Sequence, residues 1–160
     1  MKSWRSSVLA DCATNQVWFG APTPLVRSGL LHLVTAHDVQ ELLSALAKDR
    51  LPPDFEAKLS RLSDGSLMHR YVAQTSRLFF ALLLAALEGS FNEATPADRE
   101  RLLRVLAYVR KDDDAIPDYR LDGFIDDQKE ARTAAMELGH LLHAFKAWRL
   151  RHQVPGMWRG

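Results

Sequence analysis

The chain's 160 residues make one domain of ordinary size, and a hydrophobic content of 47% can fill a single continuous core. Lys+Arg 21 against Asp+Glu 20 gives a formal charge of +1, which excludes a disordered polyelectrolyte and a globally basic nucleic-acid coat. Cys12 is the single cysteine, so neither an intrachain disulfide nor a multi-cysteine zinc site can form, and nothing points to an oxidising compartment.

Residues 1–34 carry Trp4, Val8, Leu9, Val17, Trp18 and Phe19 without a sustained period, interrupted by Gly20, Pro22 and Pro24, and predict one or two loosely bounded helices. Lys2, Arg5, Ser6, Ser7, Asp11 and Asn15 leave no apolar stretch of the length an export signal needs. Thr35 with Asp38 reads as a capping box, and Val39, Leu42, Leu43 and Leu46 follow at helical spacing, predicting a helix over about 36–48. Pro52 and Pro53 break the chain. Phe55, Leu59 and Leu62 then form a short stripe that ends at the turn Ser63, Asp64, Gly65.

No breaker interrupts residues 66–88, and Leu78 to Leu84 are apolar on every side, so this helix should be the central one. Its apolar run, Leu78 to Leu87, is ten residues long against the roughly 20 a bilayer requires, which predicts no integral membrane insertion. Thr95 as N-cap, Pro96 at the first helical position and Asp98 begin the next helix, which runs to about Arg110. A long C-terminal helix over about 125–152 places Ala131, Ala134, Leu138, Leu141, Phe145 and Trp148 on one stripe and stops before Pro155 and Gly156. With strand-like alternation nearly absent, the reading is an all-α helical bundle of five to seven helices. It forms a single domain over 1–160, with a basic tail at 153–160.

Between the last two helices the chain is unusually acidic. Pro117 biases Ile116 away from helix, Asp118 and Asp122 suit turns, and Gly123 permits positive φ. Asp126 and Asp127 stand at the helix entry, where backbone N–H groups need acceptors. Asp114, Ile116, Pro117 and Asp118, followed by Gly123, Phe124, Ile125, Asp126 and Asp127, resemble the signature of the YkvA-like domain of unknown function, an Asp-x-Ile-Pro-Asp turn followed by Gly, two apolar residues and Asp-Asp. The resemblance covers at most about a quarter of the chain. It implies a helical hairpin pinned by the acidic turn, and it brings no established catalytic activity.

The same carboxylates allow a second reading. Asp114, Asp118, Asp126 and Asp127 could converge on Mg²⁺ or Ca²⁺, although their spacing fits no EF-hand loop. Glu137 and His140 have the i, i+3 spacing of half a di-iron motif, with His143 on the adjoining surface, but no second Glu-x-x-His completes it. His32, His37 and His69 have no spaced partner for zinc, and Cys12 has no nucleophile motif around it, so these read as structural residues.

Charge is distributed unevenly. Residues 112–137 hold nine acids against Arg120, Lys129 and Arg132, whereas 138–160 hold Lys146, Arg149, Arg151 and Arg159 with no acid. A helix dipole favours this order. Three functional readings follow from it. The first is a cytoplasmic, non-enzymatic interaction or scaffold protein that needs no cofactor. It would bind a protein partner or a second copy through its C-terminal hairpin and a tail containing Val154, Met157 and Trp158. The second is a nucleic-acid accessory factor using Lys146, Arg149 and Arg151, flanked by Trp148, His152 and Trp158, together with Arg99, Arg101 and Arg104. The third is a metal-dependent enzyme built on the acidic turn at 112–127.

Overall fold

The computed structural model describes residues 33–111 and 124–152. Among them the chain forms six α-helices and no strand: α1 (Ala36–Leu46), α2 (Pro53–Ser63), α3 (Leu67–Leu87), α4 (Pro96–Arg110), α5 (Ile125–Glu137) and α6 (Gly139–Arg151). The helices expected before residue 33, Cys12, His32, the turn residues Asp114, Ile116, Pro117, Asp118 and Gly123, and the tail at 153–160 lie outside the described residues.

Local chemistry sets the helix starts. The Thr35 hydroxyl accepts from the Asp38 N–H at 3.2 Å, and the Asp38 carboxylate accepts from the Thr35 N–H at 2.8 Å. Thr95 and Asp98 repeat the arrangement at 3.2 and 2.9 Å, with Pro96 at the first position of α4. A capping side chain of this kind contributes roughly 0.5–2 kcal/mol. At the other end of α3, Gly89 adopts φ 72, its N–H bonding to the Ala86 carbonyl while the Ser90 N–H bonds to that of Ala85. This is the left-handed C-terminal closure that glycine enters without steric cost.

The core is organised around α3, which packs against α2, α4 and α5. Phe79 through Ala86 are buried without exception, as expected of a helix apolar on all sides. α4 adds Leu102, Leu103, Val105, Leu106 and Val109 from between α3, α5 and α1. No helix among the described residues is long and apolar enough to cross a membrane.

The helical span expected over 125–152 is present with a one-residue break. Leu138 sits at φ −97, ψ 17 between α5 and α6, while the Leu138 N–H still bonds to Ala134 and the Leu142 N–H to Leu138, both at 2.9 Å. Gly139, the next residue, has the low helix propensity expected at such a bend. α6 is held by Leu141, Leu142 and Phe145, with Phe145 edge-on to Phe91 at 5.2 Å and stacked on Trp148 at 5.6 Å.

Candidate functional site

The C-terminal end of α4, the middle of α2 and the start of α5 meet at a buried polar cluster. Helix α2 supplies Lys58, three residues after Phe55 and four before Leu62, and therefore on the helix's apolar face. Its side chain is 2% exposed, and its ammonium lies 3.2 Å from the Asp127 carboxylate. The same ammonium donates to the Lys111 carbonyl at 2.7 Å and lies 5.6 Å from the centre of the Phe124 ring. One cation thus meets the carbonyl end of α4 and an acid in the first turn of α5, and at both places the helix dipole makes its charge or its partner's favourable.

Beside this pair, the Tyr108 hydroxyl donates to Asp126 at 2.7 Å in a fully buried bond. Glu130, one turn on, is buried as well, so the inner stripe of α5 runs Asp126, Asp127, Glu130, Ala131, Ala134. The expectation that Asp126 and Asp127 cap the helix entry is therefore corrected. Phe124 occupies the cap position without a side-chain cap bond, and both aspartates face the core. The physical reason is angular: the second and third helical positions fall on the side that continues into Ala131 and Ala134.

A second, more exposed network surrounds the end of α4. Arg110 reaches Asp54 of α2 at 2.8 Å and Glu41 of α1 at 2.9 Å, and Lys111 reaches the Leu33 carbonyl at 2.9 Å and Asp38 at 3.2 Å. Partial burial opposes ionisation of Asp54, but the Arg110 hydrogen bonds and charge outweigh it and hold the carboxyl below its ordinary value. Asp38 behaves alike: burial works against its charge, and the bonds from Thr35 and Lys111 more than reverse the effect. The Asp54 hydrogen bond holds the Arg110 guanidinium above its ordinary range.

Chemically, the buried cluster is a joint. Lys58, Tyr108, Asp126, Asp127 and Glu130 are each between 0 and 3% exposed and bond across three helices. No group of three or more metal-ligating side chains converges among the described residues. The position a cation would take beside Asp127 is held by the Lys58 ammonium, so Mg²⁺ or Ca²⁺ would have to displace it. Asp114 and Asp118, the other half of that candidate set, lie outside the described residues.

The structure separates the remaining candidates. Arg101 is buried, its Nε donating to Glu137 at 2.6 Å, which removes Arg101 from any nucleic-acid surface and Glu137 from a di-iron half-motif. Arg104 pairs with Glu100 at 3.0 Å within α4. On α6, Lys146 and Arg151 are exposed, while the Arg149 guanidinium lies 5.9 Å from the centre of the Phe145 ring at the helix's inner edge. At about 100° per residue, Arg149 and Arg151 point roughly 160° apart, so Lys146, Arg149 and Arg151 do not form one basic face. His140 and His143 are exposed, and His69 packs edge-on to Phe124 at 4.9 Å.

Lys58, Tyr108 and the Arg110–Lys111 network are absent from the sequence reading. A lysine at a stripe position of α2, and three acids at stripe positions of α5, were the signals that could have found the cluster. Comparison of the chain with family models, with curated proteins and with solved structures gave no match.

Proposed function

We propose that this chain is a non-enzymatic helical interaction module that presents the outer side of α5 and α6 to a protein partner. The observation that carries the reading is a pair of large apolar side chains left outside on those two helices, Met136 at 76% and Leu150 at 82% exposed, with Ile125, three turns before Met136 on α5, half exposed. A single exposed apolar residue is ordinary; the reading rests on Ile125 and Met136 sharing one face of α5 with the exposed Lys129 and Arg132 between them. The buried acidic cluster supports the reading by fixing α5 against α2 and α4, so that the outer side is held on a rigid body. A YkvA-like acidic hairpin and a cytoplasmic setting belong to the same proposal, the former resting on the sequence of the acidic turn alone and the latter on the single cysteine.

Affinity purification from native lysate, comparing the wild-type chain with Met136→Asp/Leu150→Asp, tests it. A stoichiometric partner recovered by the wild type and lost by the double variant is the expected result. Both positions are exposed, so the variant should melt at the wild-type temperature. Identical recoveries by the two chains would overturn the proposal.

A further inference from the structure

We infer that the segment which docks on α5 and α6 is an acidic amphipathic helix, an inference that rests on the interaction reading above and names the partner's chemistry. Its basis is where the helices put their charges. At about 100° per residue, the acids Asp126, Asp127 and Glu130 fall on the inner side together with Ala131 and Ala134, and all are buried. The remaining acid, Glu137, is bonded to Arg101. The outer face of α5 consequently carries Lys129 and Arg132, both exposed, and α6 adds the exposed Lys146; among the described residues of these two helices no exposed carboxylate stands beside them other than the one Arg101 holds. Among the described residues, the free charges on the outer side of α5 and α6 are of one sign.

Apolar residues share this α5 ridge. Ile125 and Met136 are separated by 11 residues, close to three helical turns, and fall with Lys129 and Arg132 on one face of α5; Leu150 is exposed on α6. Basic residues alternating with isolated apolar ones fit a helix that offers carboxylates between its own apolar residues. A bilayer surface asks for a continuous apolar face instead, and a phosphate backbone makes no use of Met136 or Leu150. A second copy of this chain would bring like charges together across a twofold axis, which disfavours self-association through the ridge.

The test uses the full chain and a labelled designed peptide, helical, with leucines at the facing spacing and glutamates beside them. Fluorescence anisotropy compares it with an isomer whose leucines are rotated off the face, a lysine-for-glutamate version, duplex DNA, and vesicles of phosphatidylserine and phosphatidylcholine. Expected are preferential binding of the acidic peptide, weakening of about tenfold or more by Lys129→Glu/Arg132→Glu or by Met136→Asp, and a switch of the charge-reversed variant to the lysine peptide. Equal binding of the rotated isomer, or tighter binding of DNA or vesicles, overturns the inference. A photo-crosslinker at His143 in native lysate separates this failure from that of the interaction reading. A crosslinked protein whose contact segment lacks acids overturns the partner chemistry alone, whereas no protein crosslink from the ridge overturns both.

Discussion

Replacing Lys58 by Met is the sharpest perturbation the structure offers, because it removes a buried cation and leaves its neighbours in place. The side chain fills nearly the same volume, so packing changes little, while Asp127, 0% exposed, loses the ammonium 3.2 Å away, and the Lys111 carbonyl loses its 2.7 Å donor. Removing one member of a buried ion pair costs about 3–5 kcal/mol, since the remaining buried charge loses its partner's compensation without regaining water. For a domain near this size, each kcal/mol moves Tm by roughly 2–4 °C, so Lys58→Met should melt about 6–20 °C below the wild type. The double variant Lys58→Met/Asp127→Leu removes both charges and should recover much of the loss, giving a coupling of at least about 2 kcal/mol in a double-mutant cycle followed by circular dichroism in urea. If Lys58→Met melts within a degree or two of the wild type, or if the two substitutions simply add, the ion pair is not the joint between α2 and α5.

Tyr108→Phe deletes the hydroxyl that donates to Asp126 and should cost about 1.5–3 kcal/mol by chemical denaturation, the range for a hydrogen bond to a charged group. Thr95→Ala removes the hydroxyl half of the α4 capping box, leaving the residue-95 N–H to Asp98 bond in place, and should cost roughly 0.5–2 kcal/mol, with amide exchange accelerating first at Asp98. Gly89→Ala meets open space around its new Cβ, so its destabilisation of roughly 1 kcal/mol comes only from the positive φ, and Gly89→Asn should cost less. The carboxyls of Asp38 and Asp54 are held below 3.8 in the folded chain, so the stability they contribute is complete above that value and is lost as pH falls through their lower folded values. Arg110→Gln should therefore be destabilised relative to the wild type at neutral pH, and the gap should narrow in melts taken below pH 3.8; a gap independent of pH would contradict the assignment.

Much of the fold was legible because its determinants are local. Thr35 with Asp38, and Thr95 with Pro96 and Asp98, carry their capping partners within three residues, and the helix starts fall where those patterns put them. The run from Leu78 announces its central position by having no polar side at all. The bend at Leu138 was less visible, because Leu138 and Ala134 keep the periodicity of one stripe and only Gly139 hints at an interruption. The polar cluster was illegible for a different reason. Lys58 and Asp127 are far apart in sequence, and which of several acids turns inward depends on the angular position of each on a helix whose packing partner is set by tertiary structure. Asp126 and Asp127 stand out in the sequence as acids of the turn, and their contacts run across helices and not at the cap.

The inward turn of those acids links stability to function. Had Asp126, Asp127 and Glu130 faced solvent, α5 would have offered both signs of charge and its ridge would have had no electrostatic identity. Burying them requires compensation from Lys58 and Tyr108 on neighbouring helices, at a desolvation cost that an apolar stripe would avoid. The compensation is specific: it fixes the rotation of α5, because Tyr108 and Lys58 each engage one aspartate, and turning the helix by one residue, about 100°, would keep at most one of the two contacts. Fixing that rotation also fixes which residues form the outer ridge. Lys58→Met/Asp127→Leu should thus be a stable chain in which one of the two contacts that set the rotation of α5 is gone. If the reasoning holds, that variant loses affinity for the acidic helical peptide although no residue of the ridge has been changed. Undiminished affinity would mean that apolar packing alone sets the rotation and that the buried charges serve the fold without serving the surface.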